Sequence, residues 1–344
     1  MKIGKIPERV LKRSVLKQLP IHTDKITGGA GVGEDCAVFA PENGDCTAVC
    51  VNTTTGTAGH IGSYAVHAAV NNIAAGGADP KAILVAAVFP ENTEEARLRT
   101  VMKQIGDAAG ALGIIVAGGH TEISGGVSEP VLSITGIGQK NQDQRACARP
   151  EKHALADKDI VMTKWAGLAG TAWIARERRA ELLARYPAYF IDEAAALEQR
   201  LSVVPEAATA GKSGVLMMHD ASRGGIFAAL WELAQRAGVG LSVHLKAIPI
   251  RQETVEICNF YDINPYELAA GGSLSFSMPA EKLSRPSPFG GSKKRRSSPF
   301  MITLSFDKSV LPITAAGIRA SARIRTSPYP FSASRSRLPP AASS

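Results

Sequence analysis

The sequence has few cysteines, few aromatic side chains and no long apolar run. Its 344 residues include five Cys, none of them in a CxxC pair. This set disfavours a disulfide scaffold or a zinc knuckle and favours a reducing compartment. No apolar run reaches the roughly 18 residues of a membrane-spanning helix, and the charged residues 1–19 lack the apolar stretch of a secretory signal. We therefore expect a cytoplasmic protein without a membrane segment.

Acidic and basic residues are unevenly distributed along the chain. The net charge is +8, but residues 283–344 alone carry +10, so the remainder is slightly acidic at −2. A folded nucleic-acid-binding domain would present its basic groups on one of its own faces. We therefore expect no specific nucleic-acid partner.

Apolar residues repeat with both strand and helix periods in two successive units, which predicts a two-domain α/β (α+β) protein. Helix periodicity covers residues 61–75, and Asn92 with Glu95 resembles a capping box at the start of a second helix. The run at 114–119 predicts a buried strand.

The predicted segments are a basic lead-in at 1–27, a first domain at 28–140, a linker at 141–158, a second domain at 159–282 and a tail at 283–344.

The tail differs in composition from the rest of the chain. It holds 14 Ser and eight Pro in 62 residues, and periodicity returns only briefly near FMITLSF. One interpretation is a disordered basic tail. The other is out-of-frame translation of a GC-rich gene. Under both, we expect that residues 283–344 do not pack as the last layer of the second domain.

Three candidate motifs lie in the first domain before residue 80. The Gly-rich run Gly28–Asp35 could bring backbone N–H groups to a phosphate and an acid to Mg²⁺, although an ordinary turn would also explain it. Asn52 ends a strand. Asn71 and Asn72 are amides within an apolar helix, for which local capping is the alternative explanation.

Three further motifs follow strands. Gly118, Gly119, His120 and Glu122 open a turn where α/β proteins often place ligand groups. The run 219–225 brings His, Asp220 and Arg223 to the start of a helix, where free N–H groups favour an anion and Ser222 could be the cap. Lys164–Thr171 is another Gly-rich turn that precedes a helix, expected from about Thr171. The other histidines, among them His60 and His67, are interpreted as structural.

Together and in this order, these motifs resemble the aminoimidazole ribonucleotide synthetase (PurM)-like ATP-binding superfamily, and most closely its HypE-like, AIR synthase-related branch. The matching segments span about residues 28–282 and include GVGEDCAVF, HIGSYAVHAAVNNIAAGGADP, GGHTEIS, TKWAGLAGTAWIA and HDASRGGIFAALWELAQRAGVGL. The resemblance implies two domains, a barrel-like homodimer formed by the N-terminal domain, and ATP with Mg²⁺ in a cleft between the domains.

The resemblance also implies roles for particular residues. Asp35 matches a metal-binding Asp, whereas Asn52 and Asn72 stand where the family has Asp, so the implied metal ligands are Asp35, Asn52 and Asn72. His120 stands where HypE has Asp, and Asp220 matches the Asp of an HDPTRGG-like motif. The implied cofactor-binding set is Asp35, Asn52, Asn72, Gly118, Gly119, His120, Glu122, Asp220 and Arg223.

The leading functional hypothesis is ATP-dependent phosphorylation or dehydration of a small acceptor or a protein carboxamide, in hydrogenase-maturation-like chemistry. An amide oxygen brings no charge to Mg²⁺, so two Asn in place of Asp also fit a nucleotide-binding regulator or pseudoenzyme. A third interpretation is the inactive product of a damaged gene. The sequence ends in Ser344 rather than the C-terminal Cys that HypE uses, from which we expect that it does not carry out the HypE reaction itself.

Overall fold

In a computed structural model, the structure describes residues 5–19, 26–27, 29–41, 44–56, 59–140, 158–278 and 304–307. These residues form two β-sheets with helices packed on them, which confirms the predicted mixed α/β class. The strands are β1 Ile26–Thr27, β2 Ala37–Phe39, β3 Cys46–Thr55, β4 Asp79–Pro90, β5 Ile115–Ser124, β6 Val131–Lys140, β7 Asp159–Met162, β8 Met217–Asp220, β9 Gly240–Leu241, β10 Leu274–Met278 and β11 Leu304–Asp307. The α-helices are α1 Glu8–Val10, α2 Ile61–Ala75, α3 Glu95–Ala111, α4 Leu168–Glu177, α5 Arg179–Leu182, α6 Ala188–Ala196, α7 Val204–Lys212, α8 Gly225–Ala237 and α9 Gln252–Phe260.

The first sheet contains six strands in the order β1-β2-β3-β6-β4-β5. Its longest antiparallel ladder joins β3 to β6 and runs from Cys46 opposite Lys140 to Thr55 opposite Val131. Strand β5 pairs parallel to β4 at the edge of the sheet. Helices α2 and α3 pack together beside this sheet, and the core between them includes Ile73, Ile83, Phe89, Val101 and Leu132.

Helix α2 has the predicted bounds and is buried on more than one side. Ile61 and Ile73 lie in the core of the first sheet. Ala74 and Ala75 pack instead with Val161 and Phe276 of the second sheet. A helix that contacts two layers is expected to be apolar over most of its circumference, as this one is. Helix α2 therefore joins the two halves of the structure.

The second sheet contains five strands in the order β8-β10-β7-β11-β9, all paired antiparallel. Strand β11 belongs to the tail, and its residues Leu304–Asp307 pair with both β7 and β9. The expectation that 283–344 stays outside the second domain is therefore wrong for these four residues. The backbone there extends the sheet at the FMITLSF segment, where strand periodicity briefly returns. The rest of that segment lies outside the described residues, as does most of the predicted linker.

Two local predictions in the first unit are wrong. Asn92 does not cap α3: it lies in a turn after β4 with φ of 62°, and Glu94 is the N-cap residue. Residues 115–119 of this run form the first half of β5 and are exposed, Ile115 to 69%, although Ile114 just before the strand is buried. An apolar run is typical of a central parallel strand, but β5 lies at an edge and is covered on neither face.

Two boundaries differ in the second unit. Helix α4 begins at Leu168 rather than near Thr171, because Gly167 takes the left-handed conformation with φ of 68° and starts the helix. Ser222 makes no side-chain cap for α8, whose N-cap is Gly224. Among the helices that the structure describes, none combines the length and apolar character needed to cross a membrane.

Candidate functional site

A large cavity lies between the two sheets. Its volume is about 1050 Å³. Its walls come from the turn before β2, the end of β3, one face of α2, the start of α4 and the turn between β8 and α8. Residues of the N-terminal segment complete the wall: Lys5, Ile6, Glu8 and Leu11.

The cavity brings together five of the nine residues predicted to bind the cofactor. Asp35, Asn52 and Asn72 approach it from the first sheet and α2, whereas Asp220 and Arg223 approach it from the second sheet. These residues are up to 188 positions apart in the sequence, and the fold places them on one surface.

The other four predicted residues lie elsewhere on this chain. Gly118, Gly119, His120 and Glu122 belong to the exposed strand β5 and are absent from the cavity wall. His120 Nε2 and Glu122 Oε2 are 3.0 Å apart on that strand. Their predicted role in cofactor binding therefore stays a prediction.

The Gly-rich turn before β2 has a packing requirement. Gly33 has φ of 77°, and a Cβ added there would lie 2.6 Å from the backbone oxygen of Glu232 on α8. Glycine is needed where a left-handed backbone packs this closely. The turn thereby fixes Asp35 beside β8, which explains why Gly stands at this position.

His219 is buried at the back of the cavity between two carboxylates. Its Nδ1 lies 2.9 Å from Asp35 Oδ2, and its Nε2 lies 3.0 Å from Glu232 Oε2. Burial lowers the pKa of His219, but the charge and hydrogen bond of Asp35, with those of Glu232, raise it to about 10. The imidazolium donates to both acids, so it holds Asp35 in place.

Asp220 is the next residue along β8, and it is fully enclosed. Both of its carboxylate oxygens are buried and have no hydrogen-bond partner among the described residues. Burial and the nearby Asp35 charge raise the pKa of Asp220 to about 8. A buried acid without a partner is costly. A bound cation would remove that cost.

Arg223 links the two halves across the cavity mouth. Its guanidinium donates to the backbone oxygen of Thr53 on β3. Helix α8 starts directly after it, at two glycines with positive φ, and a Cβ at Gly225 would lie 2.3 Å from the oxygen of Tyr266. A guanidinium beside a helix N-terminus favours an anionic group.

The candidate ligand atoms are oxygens. Asp35 and Asp220 offer carboxylates, and Asn52 and Asn72 offer amide oxygens in the same cavity. In the described part of the chain, no three His, Cys, Asp or Glu side chains cluster as in a metal site built from protein ligands alone. Mg²⁺ prefers oxygen ligands and usually takes one or two carboxylates with phosphate oxygens. The residues present therefore fit Mg²⁺ brought by a phosphate ligand.

Lys164 anchors the loop that precedes α4. It adopts φ of 56°, and its Nζ donates to the oxygens of Ser202 at 2.6 Å and Gly272 at 2.8 Å. It also pairs with Glu206 at 2.8 Å. Since these acceptors occupy the ammonium, Lys164 supports the loop structurally, while Ala169 and Gly170 of the same predicted motif line the cavity.

Sequence reasoning missed some residues of this site. The sequence predicts a basic, amphipathic lead-in with no part in the site, yet Lys5 forms an ion pair with Glu232 at the cavity wall. His67 was interpreted as structural, yet it lines the cavity together with Tyr64 on the same helix. Of the neighbouring amides Asn71 and Asn72, Asn71 has the structural role, because its side chain makes hydrogen bonds to the backbone of Leu201 and Val203. The helical spacing of Tyr64 and His67 to Asn71 could have indicated a shared polar face.

Comparison with known protein families gives two matches that together cover most of the chain. Residues 33–139 match the N-terminal domain model of AIR synthase related protein, and residues 157–282 match the C-terminal domain model.

Two curated relatives are connected with hydrogenase formation. A hydrogenase expression/formation protein of Methanocaldococcus jannaschii is 25% identical over 297 residues, which are 82% of each chain. The carbamoyl dehydratase HypE of Rhodobacter capsulatus is 31% identical over 226 residues. That match spans 64% of this chain and 62% of the relative, so it leaves more than a third of the dehydratase unmatched.

Two solved structures share the fold. One is the ThiL protein of Aquifex aeolicus complexed with AMPPCP and TMP, with a TM-score of 0.67 and 17% identity over 89% of this chain and 94% of that one. The other is the hydrogenase maturation protein HypE in complex with ATP, with a TM-score of 0.59 and 21% identity over 82% and 80% of the two chains. These similarities confirm the predicted PurM-like fold.

Proposed function

Since the chain belongs to the AIR synthase related family, in its HypE branch, we propose that it binds ATP with Mg²⁺ in the cavity between the two sheets. We propose further that it transfers phosphate to a small or protein-borne acceptor, in chemistry like that of hydrogenase maturation. The acceptor group is a carboxamide, a carboxylate or a small phosphate. The ligands bound in the two similar structures, AMPPCP with TMP in ThiL and ATP in HypE, support this proposal.

One observation carries the proposal. The cavity unites the acids and amides Asp35, Asn52, Asn72 and Asp220 with the cation Arg223, although they come from separate sheets. Oxygen ligands beside a guanidinium and a helix N-terminus suit a magnesium-bound polyphosphate. The volume of about 1050 Å³ is ample for a nucleotide and an acceptor.

Each residue of the site has a proposed role in binding the magnesium-bound nucleotide. Bound Mg²⁺ would neutralise charge on the phosphates during transfer. Asp35 and Asp220 would hold the cation with the amide oxygens of Asn52 and Asn72. His219 keeps Asp35 oriented through the 2.9 Å contact, and Arg223 would bind phosphate oxygens with the nitrogens it does not use on Thr53.

Isothermal titration calorimetry of the full chain tests the binding step. ATP titrated in the presence of Mg²⁺ should give a single site per chain, and EDTA should weaken the affinity by about tenfold or more. Asp220→Asn should reduce binding strongly, whereas Glu177→Gln, outside the cavity wall, should leave it unchanged. Absence of ATP binding to the folded wild type would contradict the proposal.

The alternative is a nucleotide-binding regulator or pseudoenzyme. Asn52 and Asn72 favour it, because two neutral amides occupy positions where a catalytic site gains from negative charge. An assay of ADP release at saturating Mg-ATP, with candidate carboxamides, carboxylates and phosphates, separates the two functions. Sustained turnover supports the enzyme, and tight binding without ADP release supports the regulator.

We also propose that the protein is a cytoplasmic homodimer. Among the described strands, none pairs with the outer edge of β5, and Ile115, Val116 and Ile123 are exposed along it. A long apolar edge strand is an aggregation hazard unless another chain covers it. In a dimer built on β5, His120 and Glu122 would lie at the subunit interface. Buried free cysteines such as Cys36 and Cys50 agree with a reducing compartment.

A further inference from the structure

Residues 5–19 form an N-terminal strap along one wall of the cavity. Four of them line it: Lys5, Ile6, Glu8 and Leu11. No residue of the strap is buried, and its short helical turns contact mainly one another. A segment with few buried contacts opens at low free-energy cost. The strap can therefore move relative to the two sheets while both sheets stay folded.

Lys5 ties the strap to the second half of the structure. Its ammonium forms an ion pair with the carboxylate of Glu232 on α8. The Lys5 side chain is 53% exposed, whereas that of Glu232 is only 12% exposed. A flexible four-carbon stem carries the ammonium. The ammonium can therefore turn from Glu232 to another acceptor in the cavity while α8 stays in place.

Glu232 does not depend on Lys5 for a cationic partner. Its other oxygen, Oε2, lies 3.0 Å from Nε2 of His219, and the opposite nitrogen of that ring lies 2.9 Å from Asp35 Oδ2. When Lys5 leaves, Glu232 keeps the imidazolium of His219, so no carboxylate is left buried without a charged partner. The ion pair of Lys5 can thus be exchanged while the His219–Asp35 contact is kept.

Cations are scarce on the wall of a cavity that is proposed to hold a polyphosphate. Among the described residues that line it, the Lys and Arg side chains are those of Lys5 and Arg223. Arg223 already donates to the backbone oxygen of Thr53. Glu8 adds no net charge to the wall, because it pairs with Lys12. Since a lysine ammonium binds phosphate as a point charge, Lys5 is placed to bind one.

We propose that Lys5 exchanges Glu232 for the phosphates of the bound ligand, and that this contact closes the strap over the cavity. The inference rests on the proposed function for the identity of the ligand as ATP, since the contact itself needs only a polyphosphate. Lys5 is a binding residue for the charged end of the ligand and makes no contact with the base or the sugar. Closure of the strap also excludes water from the phosphates.

Calorimetry on the full chain tests the contact with probes for the two ends of ATP. Mg-tripolyphosphate carries phosphates alone, and adenosine carries the base and sugar alone. Lys5→Met should weaken the binding of Mg-tripolyphosphate and of Mg-ATP by about tenfold. It should leave adenosine binding, followed by saturation-transfer NMR, unchanged. Lys5→Arg keeps the charge and should retain most of the affinity.

Lys12→Met is the matched control, because it removes the same charge from the same strap outside the cavity wall. It should bind all three probes as the wild type does. If Lys5 only anchored the strap, Lys5→Met would weaken adenosine and tripolyphosphate alike. If the strap acted only through its overall charge, the two substitutions would have equal effects. Either result would contradict a direct contact between Lys5 and phosphate.

Hydrogen–deuterium exchange measures closure of the strap independently of affinity. Saturating Mg-ATP should slow amide exchange in residues 6–19 of the wild type by about fivefold or more. The slowing should persist in Lys12→Met and disappear in Lys5→Met at equal occupancy of the site. Exchange that is the same with and without ligand in the wild type would overturn the closure.

The same measurements separate this inference from the proposed function. A wild type that binds Mg-tripolyphosphate through Lys5 but does not bind ATP keeps the inference and rejects ATP as the ligand. Mg-ATP binding that is equally tight in the wild type and in Lys5→Met rejects the inference and keeps the proposed function. A folded wild type that binds neither ligand rejects both.

Discussion

Helix α2 and strand β5 both carry polar side chains among apolar residues, but their environments are opposite. On α2, Asn71 is 1% exposed and His67 Nδ1 is inaccessible, because the helix is enclosed by both halves of the structure. On β5, nine of the ten residues are exposed, and the His120–Glu122 pair faces outward. The polar groups of α2 are therefore positioned by contacts within one chain, whereas His120 and Glu122 of β5 pair with each other on an exposed surface.

This difference separates two kinds of prediction. Substitutions on the cavity side should change stability or ligand affinity of the single chain. Substitutions on β5 should leave the single chain unchanged and act only on association between chains.

The largest effect is expected for Asp220→Asn, compared with Glu122→Gln on β5. The pKa of Asp220 rises from 3.8 to about 8 on folding, because it is buried near Asp35. Ionising it thus costs free energy in the folded state only, so the wild type loses stability as the pH rises from about 4 to about 8. Asp220→Asn should be more stable than the wild type above pH 8, by up to about 5 kcal/mol, and equally stable near pH 4.

Urea unfolding in EDTA across this pH range measures the difference. Glu122→Gln should follow the wild type within about 0.5 kcal/mol at every pH. A constant difference between Asp220→Asn and the wild type would show that Asp220 is already ionised without cost. The same variant should bind Mg-ATP more weakly, so that stability and function move in opposite directions.

The second comparison lies within α2. Asn71→Ala leaves the buried backbone groups of Leu201 and Val203 without their amide partner, so it should destabilise the protein by about 2–4 kcal/mol. Asn72→Ala, one residue along, should cost less than about 0.5 kcal/mol because its side chain faces the cavity. Thermal unfolding distinguishes them, and equal destabilisation would contradict the assignment of Asn71 as the structural amide.

The third comparison concerns association through β5. Ile123→Lys places a charge on the exposed edge strand and should raise the dimer dissociation constant by about tenfold or more. Its matched control is Ile263→Lys, at a partly exposed position outside both sheets. Sedimentation velocity at micromolar concentration measures the effect. A wild type that is only monomeric would reject the dimer and leave β5 uncovered.

Much of this molecule follows from local sequence patterns. The bounds of α2 follow from its periodicity, and the Asp220–Arg223 motif follows from a strand that ends in polar residues. The exposure of β5 does not follow from the sequence. The run IIVAGG has the same residues whether its strand lies at the edge of a sheet or at the centre. Pairing of β11 depends on a partner strand more than 140 residues away. Local sequence does not show that Tyr64 and His67 line the cavity, because this depends on how the second sheet and its helices pack against α2.

The most direct test of the account is Mg-ATP affinity in the double variant Asn52→Asp, Asn72→Asp. Both side chains line the cavity and add carboxylates where amides now stand. If the cavity holds magnesium-bound ATP, calorimetry should show binding about tenfold or more tighter than in the wild type, and the gain should vanish in EDTA. An unchanged affinity in a folded double variant would contradict the placement of the metal and its nucleotide between the two sheets.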